Sequence, residues 1–587
     1  MALYNARRML KSNVKSMDYL RIFPALAMVS TCLSLSSAAA AVGADAAAGK
    51  ALFQQQCLVC HTAEAGDAGG EQGPSLAGVY ARRAAGVRGF AYSSALRDSN
   101  LIWDAATLDR FLRFPTSVVP GSTMVIALPN DAARGNVIAY LQSASGLRAA
   151  SGAASDAATA PVPPVSRQTA DWRNDGPGRE HRIDVNSLPA PFATPSARNG
   201  PTLIARPANA APALPRGFRI DTFAAALAGP RKMLLAANGD IFVSETFGGR
   251  VSVLHRNAAG TAAARVDVYL QGLKQPFGLA FYPDAEHPKW LYVAETHRVM
   301  RYAYQVGDVK ARGEAQLVVP ELPQGGHFTR DIAFSPDGSR LFVSVGSASN
   351  VAESMSKKGP DAIKSWEGAR GLGAAWDQET DRAAVLVLDA AAPARAKIYA
   401  AGLRNCVSLT VQPATGALWC TTNERDALGD DLVPDYSTRV QPGGFYGWPW
   451  YYFGPHEDPR LKGERPDLRV KVLAPDIAYQ SHSAALNLTF YQASSGKAAF
   501  PADFVGDAFA AFHGSWNRSL RTGYKLVRVR MKNDMPTGEY VDFVTGFIAD
   551  DGNVWGRPVA TVELDDGSLL LSDDGSNVIY RISYASP

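Results

Sequence analysis

Short apolar segments separated by glycine-containing turns recur six times in the C-terminal part of the chain. Each instance has an apolar segment, a turn with Gly, and a second apolar segment that ends in a polar or small residue. The instances are residues 231–246, 275–296, 329–346, 404–423, 483–492 with a longer return through AFAAFHGS, and 557–574. Apolar strands joined by Asn-Gly, Asp-Gly or Thr-Gly turns are typical of β-hairpins.

The spacing of these hairpins indicates how they are arranged. Residues 213–587 divide into six units of about 62 residues each. Repetition at this period predicts a six-bladed β-propeller with one four-stranded sheet per blade. A sandwich or a solenoid is the alternative. Six similar hairpins favour radial closure, because closure leaves no long exposed sheet edge.

The segment 45–148 has helical apolar spacing and carries a c-type haem motif. Cys57-Leu-Val-Cys60-His61 is a C-x-x-C-H sequence, in which two thiols bind the porphyrin covalently and the adjacent His binds iron. No second Cys/His pair stands nearby to complete a zinc site. We therefore predict one covalent haem c, attached through Cys57 and Cys60.

The second axial ligand of this haem is predicted to be Met124. It follows Pro120-Gly121, and a Met after Pro-Gly resembles the axial-ligand loop of class I cytochromes c. A thioether opposite His61 raises the reduction potential and completes the iron coordination. This domain is therefore expected to carry electrons rather than to bind substrate. The fold class is then multidomain, with a small all-α cytochrome c domain and an all-β six-bladed β-propeller.

Two further segments flank the haem region. Basic residues, the apolar stretch 20–41 and small residues after it have the order of a secretory signal, so residues 1–44 are expected to be a signal peptide. An uncleaved membrane anchor is the alternative. The mature chain is then expected to be periplasmic and to have no transmembrane helix. Residues 149–212, rich in Ala and Pro, are expected to be a linker.

Charge and cysteine content narrow the class of protein. The net charge of the 587 residues is +4 and no Lys/Arg run occurs, which argues against nucleic-acid binding. Five cysteines are too few for a disulfide scaffold. Cys406 and Cys420 flank a hairpin turn and are either a cross-strand disulfide or small buried hydrophobic residues.

Polar side chains stand where the first strand of each hairpin begins. Because the innermost strands of a propeller line its channel, these side chains should face one mouth. They are Arg231, Gln275, His327 with Arg330, Arg404 with Asn405, His482, and Arg557. A funnel of Arg side chains suits an anion with several carboxylates, since guanidinium groups pair with carboxylates bidentately.

Residues 215–587 resemble the soluble quinoprotein glucose/sorbosone dehydrogenases, the PQQ-dependent aldose dehydrogenases, which are six-bladed propellers. The resemblance is carried by GGHFTRDIAFSPDG, AAGLRNCVSL, GDDLVPD followed by FYGWP, and GRPVATVELDDGSLLLSDD. It implies that His327 is the general base. It also implies that Arg404 and Asn405 bind the quinone, with Arg404 polarising its reactive carbonyl, and that Arg557 binds a cofactor carboxylate.

Other positions correspond less closely to the family. In the family, a Gln near the second repeat contacts the cofactor, and Gln275 lies near the corresponding position. Asn517 or Arg518 stands in for the family's Lys on the fifth blade. Ser347 occupies the place of an Asp that usually orients the base. The resemblance also implies Ca²⁺, for which Asp430 and Asp431 are candidate ligands.

These features together predict a quinohaemoprotein oxidoreductase. It would oxidise a sugar or a related alcohol or aldehyde with PQQ and pass electrons to the fused haem, and from there to a downstream cytochrome or oxidase. Two alternatives remain open. One is a calcium-dependent lactonase built on the same propeller, and the other is a cytochrome c carrier fused to a non-catalytic binding propeller.

Overall fold

The computed structural model describes residues 45–57, 61–63, 73–87, 90, 92–113, 115–119, 124, 128, 131–146, 171–197, 199–391 and 396–585. The predicted signal peptide, Cys60 and linker residues 149–170 lie outside these ranges. Within these ranges, no helix combines the length and the apolar character needed to cross a bilayer.

The N-terminal region is a small helical domain, as predicted. Its helices are α1 (Ala46–Gln56), α2 (Ser94–Asp98), α3 (Ala105–Arg113), α4 (Pro115–Val118) and α5 (Asp131–Gly146). Asp45 caps α1 by accepting from the N–H groups of Ala47 and Ala48. Gly49 lets α1 and α5 cross closely, because a Cβ at this position would lie 1.9 Å from the Asn136 carbonyl oxygen. Phe53, Leu112 and Leu141 are among the side chains of the buried core between the helices.

The C-terminal region is the predicted six-bladed β-propeller. Two strands precede the first blade: β1 (Glu180–Arg182) and β2 (Phe218–Ala224). Blade 1 contains β3 (Pro230–Leu235), β4 (Ile241–Glu245), β5 (Arg250–Arg256) and β6 (Ala263–Gln271). Blade 2 contains β7 (Leu279–Tyr282), β8 (Trp290–Glu295), β9 (Arg298–Ala303) and β10 (Arg312–Val319). Blade 3 contains β11 (Ile332–Phe334), β12 (Arg340–Val345), β13 (Ala384–Asp389) and β14 (Lys397–Ala401), with α6 (Pro360–Arg370) between β12 and β13.

The remaining three blades follow in chain order. Blade 4 contains β15 (Cys406–Val411), β16 (Leu418–Thr422), β17 (Tyr436–Arg439) and β20 (Ile477–Ala478), with the small hairpin β18 (Tyr451–Tyr452) and β19 (His456–Glu457) between β17 and β20. Blade 5 contains β21 (Ala485–Phe490), β22 (Ala508–Phe512), β23 (Lys525–Lys532) and β24 (Met535–Val544). Blade 6 contains β25 (Pro558–Glu563), β26 (Leu569–Asp573) and β27 (Val578–Tyr584). Short 3₁₀ helices occupy Trp172–Asn174, Asp377–Glu379, Pro459–Leu461, Pro466–Leu468 and Ala502–Phe504.

The ring closes because β2 pairs with β27 and completes blade 6 as its outermost strand. Phe218 lies opposite Tyr584, and Ile220 lies opposite Ile582. The first and the last parts of the propeller chain therefore share one sheet. Apolar clusters fill the spaces between successive blades all the way around the ring. Burial between faces of neighbouring sheets is the main stabilising contribution in such an architecture.

The centre of the ring is filled with side chains. Phe277, Val407 and Leu486 are buried together at the innermost strands. Lys232 of β3 reaches across to Asp331, with Nζ 2.7 Å from the carboxylate, and also donates to the Leu409 carbonyl oxygen at 3.3 Å. Because the charge of Lys232 is paired and hydrogen-bonded, its burial is tolerated.

The predicted linker is partly built into the propeller. The segment from 171 onward contributes β1, which pairs with β24 as a fifth strand at the outer edge of blade 5. Trp172 and Ile204 pack against the apolar cluster between blades 5 and 6. The described residues of the predicted linker therefore pack on the propeller, because their apolar side chains find a sheet edge and a core to cover.

Cys406 and Cys420 form a disulfide between β15 and β16, with their Cα atoms 5.7 Å apart. Of the two interpretations of this pair, the cross-strand disulfide is the one found. It joins the two strands directly after Arg404 and Asn405.

Candidate functional site

The side chains predicted to face one mouth do lie at one end of the propeller. In each blade the innermost strand begins at this end, and its antiparallel partner returns to it. The residues before the first strand and the residues after the second strand therefore lie at the same end of the propeller. We call this end the mouth. His327, Arg404, Asn405 and Arg557 all stand directly before or within a few residues of an innermost strand.

His327 is held in one tautomer by the backbone. Its Nδ1 lies 2.9 Å from the Ser347 carbonyl oxygen. A carbonyl oxygen only accepts, so Nδ1 carries the proton and Nε2 keeps its lone pair. Burial, together with the nearby Arg404, lowers the pKa of His327 to about 3. The imidazole is therefore neutral and can accept a proton at Nε2.

Ser347 stands where the family resemblance implies an Asp, and its side chain contacts His327. Its hydroxyl lies 3.1 Å from Nδ1 of His327 and donates to the Ser349 carbonyl oxygen at 2.7 Å. Its backbone N–H donates to the Arg404 carbonyl oxygen at 2.7 Å. The base and Arg404 are thus joined through one residue of the β12 return.

Arg404 is buried, and every one of its donor nitrogens is engaged by the protein. Nε donates to the Asn350 carbonyl oxygen at 3.1 Å, and one terminal nitrogen donates to the Glu424 carbonyl oxygen at 2.7 Å. The other donates to Asn350 Oδ1 at 3.1 Å and to Asp426 Oδ2 at 3.3 Å. These partners fix the guanidinium plane beside the base. Arg404 therefore acts on a bound group mainly through its positive charge.

Two amide oxygens at the mouth are buried without a hydrogen-bond partner among the described residues: Asn405 Oδ1 and Asn517 Oδ1. Buried polar atoms are normally satisfied, and an unsatisfied one at a cleft points to a missing ligand or water. Gly346 leaves room beside the first of them, because a Cβ there would lie 2.4 Å from Asn405 Oδ1 and 2.7 Å from His327 Cβ. Because Gly346 has no side chain, the space between His327 and the Asn405 amide stays open.

A second buried histidine lies on the opposite part of the ring. His513 Nε2 lies 2.7 Å from Asp574 Oδ1, and Arg231 is paired with the other oxygen of the same carboxylate at 2.7 Å. Burial and the nearby Arg557 lower the pKa of His513 to about 4. Burial alone would raise the pKa of Asp574, but His513 and Arg231 hold it well below its ordinary range.

His482 belongs to a connected polar group. Its Nε2 donates to the Gly429 carbonyl oxygen at 3.0 Å, and its Nδ1 accepts from the Asn517 amide at 3.0 Å. Asn517 also donates to Asp426 Oδ1. Asp426 thus links Arg404 on one side with Asn517 and His482 on the other.

The carboxylates predicted to bind calcium accept hydrogen bonds from protein donors. Asp431 Oδ1 accepts from Arg518 at 2.8 Å, and Asp430 accepts from the backbone N–H of Ser519 at 3.0 Å and from its hydroxyl. Arg518 also donates to the Asp430 carbonyl oxygen. Within the described residues, the one group of three His, Cys, Asp or Glu residues spaced for a metal is Asp175, His181 and Asp542, on the outer edge of blade 5. A calcium site at Asp430 and Asp431 stays a prediction.

Gln275 lies at the mouth in a left-handed backbone conformation with φ of 47°. Its Oε1 accepts from the Thr296 hydroxyl at 3.2 Å. The side chain is half-buried and lies at the start of blade 2.

The sequence analysis missed one group of site residues, which follow the second strand of a blade: Asp426 after β16, His513 after β22 and Asp574 after β26. The repeat contains the signal, because in each hairpin the start of the first strand and the end of the second strand both lie at the mouth. The repeat itself was used only for residues before the first strand, and residues after a second strand, such as Ser347 and Arg518, were named only through the family resemblance. The acidic members matter because they partly neutralise the arginines of the mouth.

Three of the residues predicted to hold the haem are among the described residues: Cys57, His61 and Met124. His61 Nδ1 lies 2.9 Å from the Pro74 carbonyl oxygen, which leaves Nε2 as the lone-pair nitrogen. Burial lowers the pKa of His61, so the ring is neutral. Cys57 and Met124 are half-buried and pack against the same core. The assignment of His61 and Met124 as iron ligands stays a prediction.

The fold and the site define a class: a cytochrome c domain joined to a six-bladed propeller whose mouth is lined by arginines and histidines. The chain belongs to the TrAA12-like family, which it matches over residues 212–439 and 467–583. Residues 46–145 match the cytochrome c family.

Relatives are found separately for the two parts of the chain. The cytochrome c2 iso-2 of Magnetospirillum fulvum is 49% identical over 88 residues, which are 15% of this chain and 90% of that protein. An uncharacterized protein of Borreliella burgdorferi is 24% identical over 390 residues, 63% of this chain and 90% of that protein.

Two solved structures share the propeller fold. The holo form of the pyranose dehydrogenase PQQ domain from Coprinopsis cinerea has a TM-score of 0.52 and 19% identity, covering 65% of this chain and 98% of that one. The iodide structure of the family AA12 carbohydrate-active enzyme from Trichoderma reesei has a TM-score of 0.51 and 19% identity, covering 66% and 100%. At this identity, the likeness establishes the fold.

Proposed function

We propose that the chain is a quinohaemoprotein dehydrogenase that oxidises a CH–OH group of a sugar or related alcohol with PQQ and passes the electrons to its own haem c. The observation that carries the proposal is the tautomer of His327. Its Nδ1 is committed to the Ser347 carbonyl oxygen, so Nε2 is a fixed proton acceptor beside a buried guanidinium. Membership in the TrAA12-like family and the fused cytochrome c domain support the same function.

The positive charge of the mouth and its unsatisfied polar groups suit a polyanionic cofactor. Arg231, Arg330, Arg404 and Arg557 are buried there. Burial and, as the smaller cause, the neighbouring Arg382 lower the pKa of Arg330 to about 9. Carboxylates of PQQ would offset the positive charge of these arginines. When bound, PQQ supplies a two-electron acceptor for the hydroxyl carbon of the substrate.

The protein contributes proton transfer and orientation. Oxidation of CH–OH to C=O removes a hydride from carbon and a proton from oxygen. In the proposal, Nε2 of His327 takes the hydroxyl proton, because the imidazole is neutral. The ring lies beside the space that Gly346 leaves open between His327 and Asn405. Ser347 keeps the ring from rotating.

The N-terminal domain would receive the electrons one at a time. Cys57 and Cys60 would attach the haem and His61 and Met124 would bind its iron, and the haem would supply one-electron transfer rather than a substrate site. A downstream cytochrome or oxidase would then reoxidise the haem. We also propose export to the periplasm, where residues 1–44 would serve as the signal and covalent attachment would retain the haem.

This geometry supports the two alternative functions, a lactonase and a non-catalytic binding propeller, less well. A calcium-dependent lactonase needs a metal at the mouth, and four carboxylates there already accept from protein donors: Asp426, Asp430, Asp431 and Asp574. A non-catalytic propeller would not require an oriented, neutral base at Nε2 of His327.

Dye-linked sugar oxidation tests the proposal. The full chain is purified with its haem and titrated with PQQ, and the reduction of an artificial dye is followed with a panel of aldoses and alcohols. The proposal expects turnover that depends on PQQ and is lost in His327→Gln. Turnover without PQQ, or turnover unchanged in His327→Gln, would overturn it.

A further inference from the structure

Asn350 lies on the loop that follows β12 at the mouth, and it contacts Arg404 twice. Its backbone carbonyl oxygen accepts from Arg404 Nε at 3.1 Å, and its side-chain Oδ1 accepts from a terminal nitrogen of Arg404 at 3.1 Å. The two acceptors belong to one residue and meet two different nitrogens of one planar group. Such paired contacts fix both the position and the rotation of a guanidinium.

The amide of Asn350 is itself held in one orientation by Asp426. Oδ1 also accepts from the backbone N–H of Asp426 at 2.8 Å, and Nδ2 donates to the Asp426 carbonyl oxygen at 3.1 Å. An N–H only donates and a carbonyl oxygen only accepts, so the amide cannot turn over without losing these bonds. Asn350 therefore presents a neutral oxygen, and not its NH₂ group, to Arg404.

The loop that carries Asn350 is anchored on both sides. Glu379, which is buried, accepts from the backbone N–H of Ala348 at 2.7 Å and from the Ser349 hydroxyl at 2.6 Å. The indole N–H of Trp448, also buried, donates to the Asn350 carbonyl oxygen at 2.9 Å. A loop held by a buried carboxylate and a buried indole keeps its polar groups in place.

Arg404 differs from Arg231, another arginine of the mouth, in the kind of acceptor that holds it. Arg231 donates through Nε at 2.8 Å and through a terminal nitrogen at 2.7 Å to the Asp574 carboxylate. Within the part of the chain that the structure describes, Arg404 contacts a carboxylate only at 3.3 Å, in Asp426, and its shorter contacts are all to uncharged oxygens. A close carboxylate offsets the charge of a guanidinium, whereas an amide or carbonyl oxygen leaves the net charge unchanged. Arg404 is thus fixed and still positively charged.

We propose that Asn350 is a positioning residue, whose carbonyl and amide oxygens fix Arg404 at the mouth without neutralising its charge. The inference deepens the proposed function and rests on it, since a fixed cation at this point serves to bind and polarise a polyanionic quinone. In the proposal, Asn350 acts on the cofactor through Arg404.

A double-mutant cycle on cofactor binding tests whether Asn350 acts through Arg404. The full chain with its haem but without PQQ is titrated with PQQ, and calorimetry gives the dissociation constant. Asn350→Ala removes the side-chain acceptor and should weaken PQQ binding about tenfold. In the Arg404→Gln background, the same substitution should change the dissociation constant by less than about twofold. Equal effects in the two backgrounds, including no effect in either, would overturn the proposal.

A second measurement needs no quinone. Phenylglyoxal modifies arginine side chains, and mass spectrometry of peptides follows the modification of Arg404 in the PQQ-free protein. Loss of a hydrogen bond to a charged group lets the guanidinium leave its partners more often, so Asn350→Ala should speed the modification of Arg404 about tenfold. Arg231, held by Asp574, should be modified at an unchanged rate. No acceleration at Arg404, or equal acceleration at both arginines, would contradict the proposal.

Asn350→Asp separates the fixing of Arg404 from its charge, and it carries the test if Asn350→Ala does not fold. Asp keeps an oxygen toward Arg404 and adds a negative charge, so the modification of Arg404 should stay as slow as in the wild type while PQQ binding weakens about tenfold or more. Asn257→Asp adds the same charge at the turn between β5 and β6, at the opposite end of the propeller, and should leave PQQ binding unchanged. Binding to Asn350→Asp as tight as to Asn257→Asp would show that a neutral side chain at 350 is not required.

These outcomes separate the inference from the proposed function. If the wild-type protein does not bind PQQ, the proposed function fails, and the rate of Arg404 modification in Asn350→Ala still decides whether Asn350 holds Arg404. If the wild type binds PQQ but the variants at 350 behave like Asn257→Asp, the role of Asn350 alone is refuted.

Discussion

His327 donates its Nδ1 proton to the carbonyl oxygen of Ser347 over 2.9 Å. The base is therefore oriented by a backbone group rather than by a carboxylate. A carbonyl fixes the tautomer without adding a negative charge, and burial, together with the nearby Arg404, keeps the imidazole neutral. With Ser at position 347, Nε2 of His327 thus keeps a lone pair that can accept a proton.

Removal of the base should abolish most turnover. His327→Gln keeps a polar side chain of similar size but has no nitrogen lone pair to accept a proton. We expect PQQ-dependent dye reduction to fall about 10²–10⁴-fold. Steady-state kinetics measure this, with His287→Gln as the control because His287 is exposed on a loop of blade 2. Equal losses in the two variants would show that His327 has no special role.

Removal of the Ser347 hydroxyl should have a small effect. Ser347→Ala keeps the carbonyl that orients His327 and loses only the 3.1 Å contact of the hydroxyl. One such hydrogen bond contributes about 1 kcal/mol, so we expect a decrease in kcat of about fivefold or less. Measured kcat values of Ser347→Ala and His327→Gln should therefore differ strongly. Similar values would mean that the hydroxyl, not the carbonyl, orients the base.

The lowered pKa of His327 should appear in the pH dependence of stability. The folded-state pKa is about 3, below the ordinary value of 6.5. The unfolded chain therefore binds this proton more readily, and the free energy of unfolding decreases as pH falls from 6.5 toward 3. Urea unfolding of the quinone-free protein should show a weaker decrease between pH 6.5 and 4 in His327→Gln than in the wild type. Parallel pH profiles would contradict the assigned pKa.

The anchor of the linker segment should contribute strongly to stability. Lys525→Met leaves Asp175 and Asp542 buried without their common cation, at a cost of about 3–5 kcal/mol. Lys532→Met, at the exposed end of the same strand, should change stability by less than about 0.5 kcal/mol. Denaturant unfolding compares the two variants. If Lys525→Met is as stable as Lys532→Met, the ion pairs do not hold the segment.

The propeller could be predicted because its signal is local and repeated. All six predicted hairpins are the first two strands of a blade. Apolar residues that alternate with a period of two are compatible with few structures other than a β-strand. Strand β1 could not be predicted in this way. Glu180–Arg182 has no apolar alternation, and it forms a strand only because β24 offers an unpaired edge. Pairing of β2 with β27 is likewise a long-range contact without a local pattern.

The candidate site was predictable to a similar extent. His327, Arg404 and Arg557 were found because they precede innermost strands. Asp426 and Asp574 were not, because a carboxylate after a strand is as common in a plain turn as in a binding site. Which arginines would already be paired depends on contacts between blades, and no sequence spacing encodes them.

The central claim is that substrate electrons reach the haem through a quinone bound at the mouth. The most direct measurement is the visible spectrum of the full chain, kept without oxygen, as sugars and alcohols are added one at a time. The account predicts reduction of the haem by at least one of them with PQQ present, and none without PQQ or in His327→Gln. Haem reduction that is independent of PQQ, or that is unchanged in His327→Gln, would contradict it.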